Sequence, residues 1–228
     1  MSPMDGMSMP GGWTMSMTWM RMPGQTWSGA ASAFMVMWVV MMVAMMLPSL
    51  IPVLRRHHEA MSFEASARAG RITALVGAGY FALWTAFGLV AFPIGATVAD
   101  IAMRHAALAR AVPTAGALIV LIAGAMQFTA AKARHLACCR DIAPVDGASP
   151  ARLRSAWQAG VRHGLRCVRA CAGPTAVLFA LGVMDPVVMV LVSTAITLER
   201  LVPASARAIG VACAVVGLVL LGRAAGLA

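Results

Sequence analysis

Long apolar runs alternate with short polar segments along most of this chain. An apolar run of about 20 residues is long enough to cross a lipid bilayer as one helix. The pattern therefore predicts an all-α fold, a polytopic transmembrane helix bundle with about six spans. The predicted spans are residues 30–54, 72–98, 112–131, 152–183, 187–201 and 206–221.

Local signals modify three of these predicted spans. Pro48 and Pro52 are expected to kink or end the first span toward its C-terminal side. Residues 152–183 predict one long helix whose first half is amphipathic and basic and whose second half is apolar. A turn signal at residues 184–186 follows, and residues 187–201 are short for a span.

The first 29 residues have a different composition from the rest of the chain. They are rich in Met, Gly, Ser, Pro and Trp, and their Gly and Pro disfavour a stable helix. No basic segment followed by a short apolar run marks a cleavable signal peptide there. The sequence therefore predicts a Met-rich flexible external tail, residues 1–29, and a transmembrane helical domain, residues 30–228.

The charges indicate an orientation in a membrane rather than binding to nucleic acid. The formal net charge is +10, yet only 11% of residues are charged, against about 25% in soluble domains. Lys and Arg concentrate in alternate connections, and the positive-inside rule places the first, third and fifth connections in the cytoplasm. The sequence thus predicts a multi-pass inner-membrane protein with both termini outside and with the lipid bilayer, not nucleic acid, as its partner.

Methionine supplies the first candidate ligands. Of the 19 Met, 14 lie in the first 46 residues. Met37, Met41 and Met45 repeat every four residues and share one helix face, with Met42 and Met46 beside them. Thioethers are soft ligands that select Cu(I) over hard ions. Packing is the alternative interpretation, because Met also fills gaps in apolar cores.

A second candidate site lies in the basic stretch that follows the third predicted span. On a helix, His135 lies one turn from both Cys138 and Cys139, and imidazole plus thiolate suits copper or zinc. Basic neighbours are expected to lower the thiol pKa values. These neighbours are Lys132, Arg134 and Arg140. A basic anchor at the membrane surface with incidental Cys remains the alternative.

A third candidate site is a strip along the predicted fourth helix. His163, Cys167 and Cys171 recur every four residues and therefore share one face. A neighbouring strip holds the small residues that close helix packing in membranes requires, namely Ala156, Gly160 and Gly164. This helix could meet the segment with His135 and Cys139 across a short loop; buried Cys in a packed helix is the alternative. Four of the five Cys flank one basic loop, which favours reduced thiols over disulfides.

Two polar residues lie in or near predicted spans. A charge at the bilayer centre costs about 2.5–3.5 kcal/mol on insertion scales, and Glu199 lies near a span end. We expect Glu199 to pair with Arg200 or with an Arg of the fourth helix, and a role as a ligand or proton relay stays open. Gln127 is the other residue, and the lone Cys213 is interpreted as packing.

No nucleophile elbow, phosphate loop or H-E-x-x-H motif is present, so the sequence predicts no enzyme activity.

An ordered series of motifs carries a family resemblance. The first, W-x2-M-x2-A-M-M-x-P-S, covers residues 38–49. The later ones comprise Gln127, Lys132, Leu136, Cys139-Arg140, Gly160, Gly164, Cys167, Cys171, L-G-V-M at 181–184 and L-E-R-L-x-P at 198–203. Over roughly residues 30–225 the chain resembles a bacterial family of predicted metal-binding integral membrane proteins, a domain of unknown function. The resemblance implies a bacterial inner-membrane protein that binds metal.

The chain departs from the family pattern at several positions. His135 stands where the family usually has Cys, and Ala170 and Ala172 flank Cys171 where the family often has Cys-Cys-Trp. Thr175 lies where the family has a nearby Met. A site that needs every family cysteine would therefore be incomplete in this chain.

Together these features predict a membrane protein that binds a soft metal ion, first of all Cu(I), for uptake or for delivery to a metalloenzyme. The predicted partners are the metal ion, a metalloenzyme or metallochaperone and a second copy of the chain. The predicted ligands are Met37, Met41, Met42, Met45, Met46, His135, Cys138, Cys139, His163, Cys167 and Cys171. One alternative is a membrane assembly partner without metal, in which Met and Cys only pack. A quinone- or haem-linked oxidoreductase is the other, disfavoured because no two His form a matched pair within the spans.

Overall fold

The computed structural model describes residues 7–9, 13–21, 24–61, 66–139, 149–183, 185–202 and 204–226. Helices dominate the described part of the chain, and the predicted all-α bundle is confirmed. Its helices are α1 Trp27–Glu59, α2 Ser66–Arg104, α3 Ala106–Met126, α4 Ala130–Cys138, α5 Ser149–Leu181, α6 Pro186–Leu201 and α7 Ser205–Ala224. Arg140, Met184 and Pro203, which the sequence motifs include, lie outside the described residues.

Five of the described helices are long and apolar enough to cross a membrane, as is compatible with a membrane protein. They are α1, α2, α3, α5 and α7. The sixth predicted span, residues 187–201, falls in α6, which has only 16 residues. At 1.5 Å per residue α6 is about 24 Å long, less than the roughly 30 Å hydrocarbon core. Among the described helices, five rather than six are therefore long and apolar enough to cross a membrane.

Several helix boundaries differ from the sequence prediction. Pro48 and Pro52 do not end α1, which continues through both to Glu59. Packing against neighbouring helices tolerates Pro inside a membrane helix. The polar segment predicted between the second and third spans is helical except for His105, which in an extended conformation separates α2 from α3.

The turn between α5 and α6 follows directly from local sequence chemistry. Gly182 has a φ of 130°, a conformation that side chains rarely adopt. The Asp185 carboxylate then accepts hydrogen bonds from the amides of Val187 and Val188 at 2.8 and 3.1 Å, and Pro186 occupies the first helical position. This turn sends α6 back along α5, so that the end of α6 lies beside the middle of α5.

The small-residue strip predicted on α5 is a close helix contact. A Cβ atom added at Gly160 would come within 2.1 Å of the Val76 carbonyl oxygen on α2. Gly79 on α2 approaches Trp157 of α5 in the same way, at 2.6 Å from its carbonyl oxygen. Backbones can approach this closely only where the side chains are absent, as in small-residue contacts of membrane helices. This contact fixes the position of α2 against α5.

The described part of the tail packs on one end of the bundle. Residues Met7–Met9 (β1) and Trp13–Met15 (β2) form a short antiparallel hairpin. The side chains of Met9 and Met15 are buried against alanines of α2 and α3, and the Trp13 indole donates a 2.9 Å hydrogen bond to the Ala109 carbonyl. The Gly- and Pro-rich composition of residues 1–29 did not predict this hairpin. The division into tail and helical domain stays a prediction.

Candidate metal centre

Two thiols in the middle of α5 form the centre of the site. Cys167 and Cys171 lie one helical turn apart, are fully buried, and bring their Sγ atoms to 3.8 Å from each other. Two thiolates that each lie about 2.3 Å from one ion at tetrahedral or trigonal angles are themselves about 3.8–4.0 Å apart. The pair therefore has the spacing of two ligands of a single ion.

The predicted methionines of α1 share a core with these thiols. Met41, Met42, Met45 and Met46 are buried in one cluster that also contains Cys167 and Cys171. Met37 is half-buried and packs against the same cluster. Shared burial of four thioethers with two thiols was not readable from the sequence, because the stretches are more than 100 residues apart.

Sequence reasoning did not assign Arg200 to this site. The Arg200 Nη2 atom hydrogen-bonds to the Cys167 sulfur and lies 3.7 Å from the Cys171 sulfur. The Tyr80 hydroxyl of α2 lies 3.0 Å from the same Cys167 sulfur. The side chains of Arg200 and Tyr80 are buried, so three helices converge on this thiol pair. The sequence signals were the place of Arg200 at the end of an apolar segment and within the L-E-R-L-x-P motif.

Glu199 lies in a buried ion pair, but with a partner that the sequence analysis did not propose. Its carboxylate accepts hydrogen bonds from the Lys132 ammonium on α4 and from the Gln127 side-chain amide, both at 2.7 Å. The Lys132 ammonium also donates to the Ala170 carbonyl at 2.6 Å. The expected pairing of Glu199 with Arg200 or with an Arg of α5 is wrong, because neighbouring positions on α6 point in different directions.

His163 lies next to the thiol pair with both ring nitrogens unsatisfied. Its side chain is only 2% exposed, and its ring lies 5.7 Å from the Tyr80 ring between centroids. Neither nitrogen has a hydrogen-bond partner among the described residues. Because buried polar atoms are nearly always paired, this imidazole is a candidate ligand one turn before Cys167.

The other predicted Cys/His segment is split between surface and core. Cys138 is exposed and His135 half-buried, whereas Cys139 is buried beside Leu136, Ala170 and Ala206. Loss of hydration on burial raises the pKa of the Cys139 thiol to about 11, although the nearby Arg200 charge acts in the opposite direction. The expectation that basic neighbours lower the thiol pKa is therefore wrong for Cys139.

Among the described residues, the two Cys/His segments do not form one site with three Cys or His ligands. Cys139 approaches α5 through Ala170. Within the described ranges, however, no three His, Cys, Asp or Glu side chains are grouped so that they could hold a metal ion. A site at the thiol pair would therefore use the two thiols alone or draw further donors from other side-chain types, and the thioethers of α1 lie in the same buried cluster.

We expect the adjacent thiols Cys138 and Cys139 to react at very different rates with a water-soluble alkylating reagent. At pH 8 a thiol with a pKa of about 11 is only about one part in a thousand thiolate, and burial slows access further. Mass spectrometry after timed labelling of the detergent-purified protein would measure both rates. Labelling of Cys139 should accelerate as the pH rises toward 11; equal rates at pH 8 would contradict the burial of Cys139.

Comparison with known proteins identifies a family. The family model described as PpoB2, copper chaperone, matches residues 35–221, which is most of the chain. Searches of curated proteins and of solved structures find no match. The matched range includes the methionines of α1, the thiol pair of α5 and Arg200, and it supports a copper-related role and the metal-related resemblance found in the motifs. The chain therefore belongs to the PpoB2 copper chaperone family.

Proposed function

We propose that this protein binds Cu(I) as cargo in the buried core to which α1, α2, α5 and α6 contribute, and delivers it to a metalloenzyme, without itself being an enzyme. The observation that carries the proposal is the 3.8 Å separation of the Cys167 and Cys171 sulfurs within a buried cluster that holds four methionines. The family match to copper chaperones supports the identity of the metal.

The chemistry of these donors suits Cu(I) better than a harder ion. Thiolates and thioethers are soft ligands, and soft ligands select Cu(I). Thioethers carry no charge, so the buried Met41, Met42, Met45 and Met46 can line an apolar core without the cost of burying an ion. The thiol pair can bind the ion more strongly because thiolates are anionic.

The arrangement on α1 also suits movement of the ion along the helix. Met37, Met41 and Met45 follow each other at about 6 Å per step, since four residues rise 1.5 Å each. The hydroxyl of Ser193 on α6 holds the backbone of this stretch through a 3.2 Å hydrogen bond to the Met45 carbonyl. Passage from weak thioether sites to the stronger thiol pair would carry copper from the predicted outer side toward the cytoplasm, and release to a partner would follow.

Copper content after loading tests the proposal. The detergent-purified protein would be loaded with Cu(I) under reducing conditions. Bound copper would be measured in the unchanged protein and in two variants, one without the thiol pair and one without the thioethers of α1. We expect the Cys167→Ser/Cys171→Ser form to lose most of the copper of the core site. We expect a form with Leu at positions 41, 42, 45 and 46 to bind it at least about tenfold more weakly, because Leu keeps the packing and removes the sulfur.

Two matched controls make the result specific. A Cys138→Ser form removes an exposed thiol, and a Met103→Leu/Met126→Leu form removes exposed thioethers of other helices. Both should bind copper as the unchanged protein does. Equal copper in all forms would show that the core sulfurs only pack, which is what the alternative of a membrane assembly partner without metal requires.

A further inference from the structure

Arg200 is a buried cation with no acidic partner among the described residues. Its side chain is 8% exposed, and no carboxylate among the described residues forms an ion pair with it. Its Nε and Nη1 atoms have no hydrogen-bond partner in the described part of the chain. The atoms that its Nη2 does contact are the sulfurs of Cys167 and Cys171. An unpaired charge in a low-dielectric interior is costly, and a thiolate formed at this pair would be the counter-anion in contact with the guanidinium.

The other charged groups around the site do not alter this balance. The ammonium of Lys132 is neutralised by the carboxylate of Glu199 at 2.7 Å. Arg166, on the turn of α5 before the pair, is only partly buried, and within the described residues no hydrogen bond joins it to either sulfur. Tyr80 contributes a hydroxyl and His163 an imidazole. Arg200 therefore supplies the one buried positive charge in direct contact with the sulfurs among the described residues.

The charge sum of a loaded site depends on the metal. Two thiolates and one monovalent cation carry a net charge of −1, and Arg200 brings the buried total to zero. Two thiolates and one divalent cation carry no net charge, so the Arg200 charge would be left buried and uncompensated. Because an uncompensated buried charge is strongly unfavourable, the same two sulfurs should accept the monovalent ion and disfavour the divalent one.

We propose that Arg200 is a specificity-determining residue that makes the Cys167/Cys171 pair select monovalent soft cations, such as Cu(I) and Ag(I), over divalent soft cations, such as Cd(II) and Zn(II). This proposal rests on the proposed binding of Cu(I) by the same thiols. It adds a discrimination by charge, which neither the softness nor the 3.8 Å spacing of the sulfurs provides, since both suit Cd(II) and Zn(II) as well.

Competition between Ag(I) and Cd(II) tests the selectivity without redox chemistry. Affinities of both ions would be measured for the intact chain and for Arg200→Gln, Arg200→Lys and Arg207→Gln. Each form would also be made with Cys167→Ser/Cys171→Ser, so that binding at other sulfurs can be subtracted. Arg200→Lys keeps the charge, and Arg207 is an exposed Arg on α7 that serves as the control.

In Arg200→Gln we expect the ratio of Ag(I) to Cd(II) affinity to fall by at least about tenfold, because Ag(I) binding weakens and Cd(II) binding strengthens. The ratio should stay high in Arg200→Lys and unchanged in Arg207→Gln. An equal fall for both ions would assign Arg200 a structural role only and overturn the proposal. An unchanged ratio in Arg200→Gln would overturn it as well.

The intact chain provides a second test that does not depend on the folding of a variant. Cd(II) at concentrations comparable to Ag(I) should fail to displace Ag(I) from the thiol pair, and ready displacement would overturn the selectivity. Failure of the intact chain to bind Cu(I) or Ag(I) at these thiols would instead overturn the proposed function itself. Copper binding with no charge selectivity would leave the proposed function intact and remove only the role of Arg200.

Discussion

Replacement of Glu199 by Gln is expected to lower the free energy of unfolding by about 3–5 kcal/mol. The Glu199 carboxylate lies 2.7 Å from the Lys132 ammonium, and the two side chains are only 1% and 8% exposed. Gln keeps the shape but removes the negative charge. The ammonium would then remain buried with the Ala170 carbonyl as its contact, and a buried charge without a counter-charge is strongly destabilising.

The neutral double variant separates charge from shape. We expect Lys132→Met alone to be destabilising like Glu199→Gln, and the Lys132→Met/Glu199→Gln form to recover much of the loss, because no uncompensated charge remains. The measurement is unfolding of the detergent-purified protein for the two single variants and the double variant. The coupling energy from this double-mutant cycle measures the interaction between Lys132 and Glu199.

An exposed ion pair of nearly the same length provides the control. Arg104 and Asp100 lie 2.8 Å apart at i,i+4 on α2, with side chains 71% and 49% exposed. Solvent screens such pairs, so Asp100→Asn should change the free energy of unfolding by less than about 1 kcal/mol. Equal small effects at Glu199 and Asp100 would contradict the burial of the Lys132–Glu199 pair.

Much of the helical framework could be predicted from the sequence, because it depends on local pattern. The Met face of α1 and the small-residue strip of α5 both follow from helical periodicity, and burial of Met41 and Met45 agrees with the predicted face. The five long apolar helices were likewise visible as apolar runs. The remaining predicted span, residues 187–201, lies in a helix of 16 residues, because an apolar composition does not by itself set the length of a helix.

The site itself depends on contacts between distant segments, which a single sequence does not reveal. Glu199 and Arg200 are adjacent, yet one turns to Lys132 and the other to Cys167. Their partners are fixed by the way the turn at Gly182 and Asp185 folds α6 back along α5. The same reasoning explains the error at Cys139, where neighbouring basic residues in the sequence were expected to matter more than burial, and burial prevails.

Substitution of Gly160 by Ala is expected to destabilise the bundle by about 2–3 kcal/mol or more. The added Cβ atom would lie 2.1 Å from the Val76 carbonyl oxygen, 2.9 Å from its carbonyl carbon and 3.1 Å from the Tyr80 nitrogen. All three are backbone atoms of α2, so no side-chain rotation can relieve the overlap. The two helices must separate, and the loss of packing between them lowers the free energy of unfolding.

Gly70, a glycine near the start of α2, provides a control whose replacement by Ala should not lower the free energy of unfolding. Gly70 has no atom within 4 Å of an added Cβ, so Gly70→Ala should be neutral or should stabilise α2 by up to about 1 kcal/mol, since Ala favours helix more than Gly does. Thermal unfolding in the same detergent would compare the two variants. A Gly160→Ala protein as stable as Gly70→Ala would mean that α2 and α5 do not approach this closely.

The Gly160 contact also bears on the metal centre, because α2 carries Tyr80. Separation of α2 from α5 would move the Tyr80 hydroxyl away from the Cys167 sulfur, which it now approaches at 3.0 Å. We therefore expect Gly160→Ala to weaken Cu(I) binding even where the protein is still folded, whereas Gly70→Ala should leave it unchanged. Unaltered binding in a destabilised Gly160→Ala protein would show that the thiol pair of α5, with Arg200 of α6 as its counter-charge, holds the ion without support from α2.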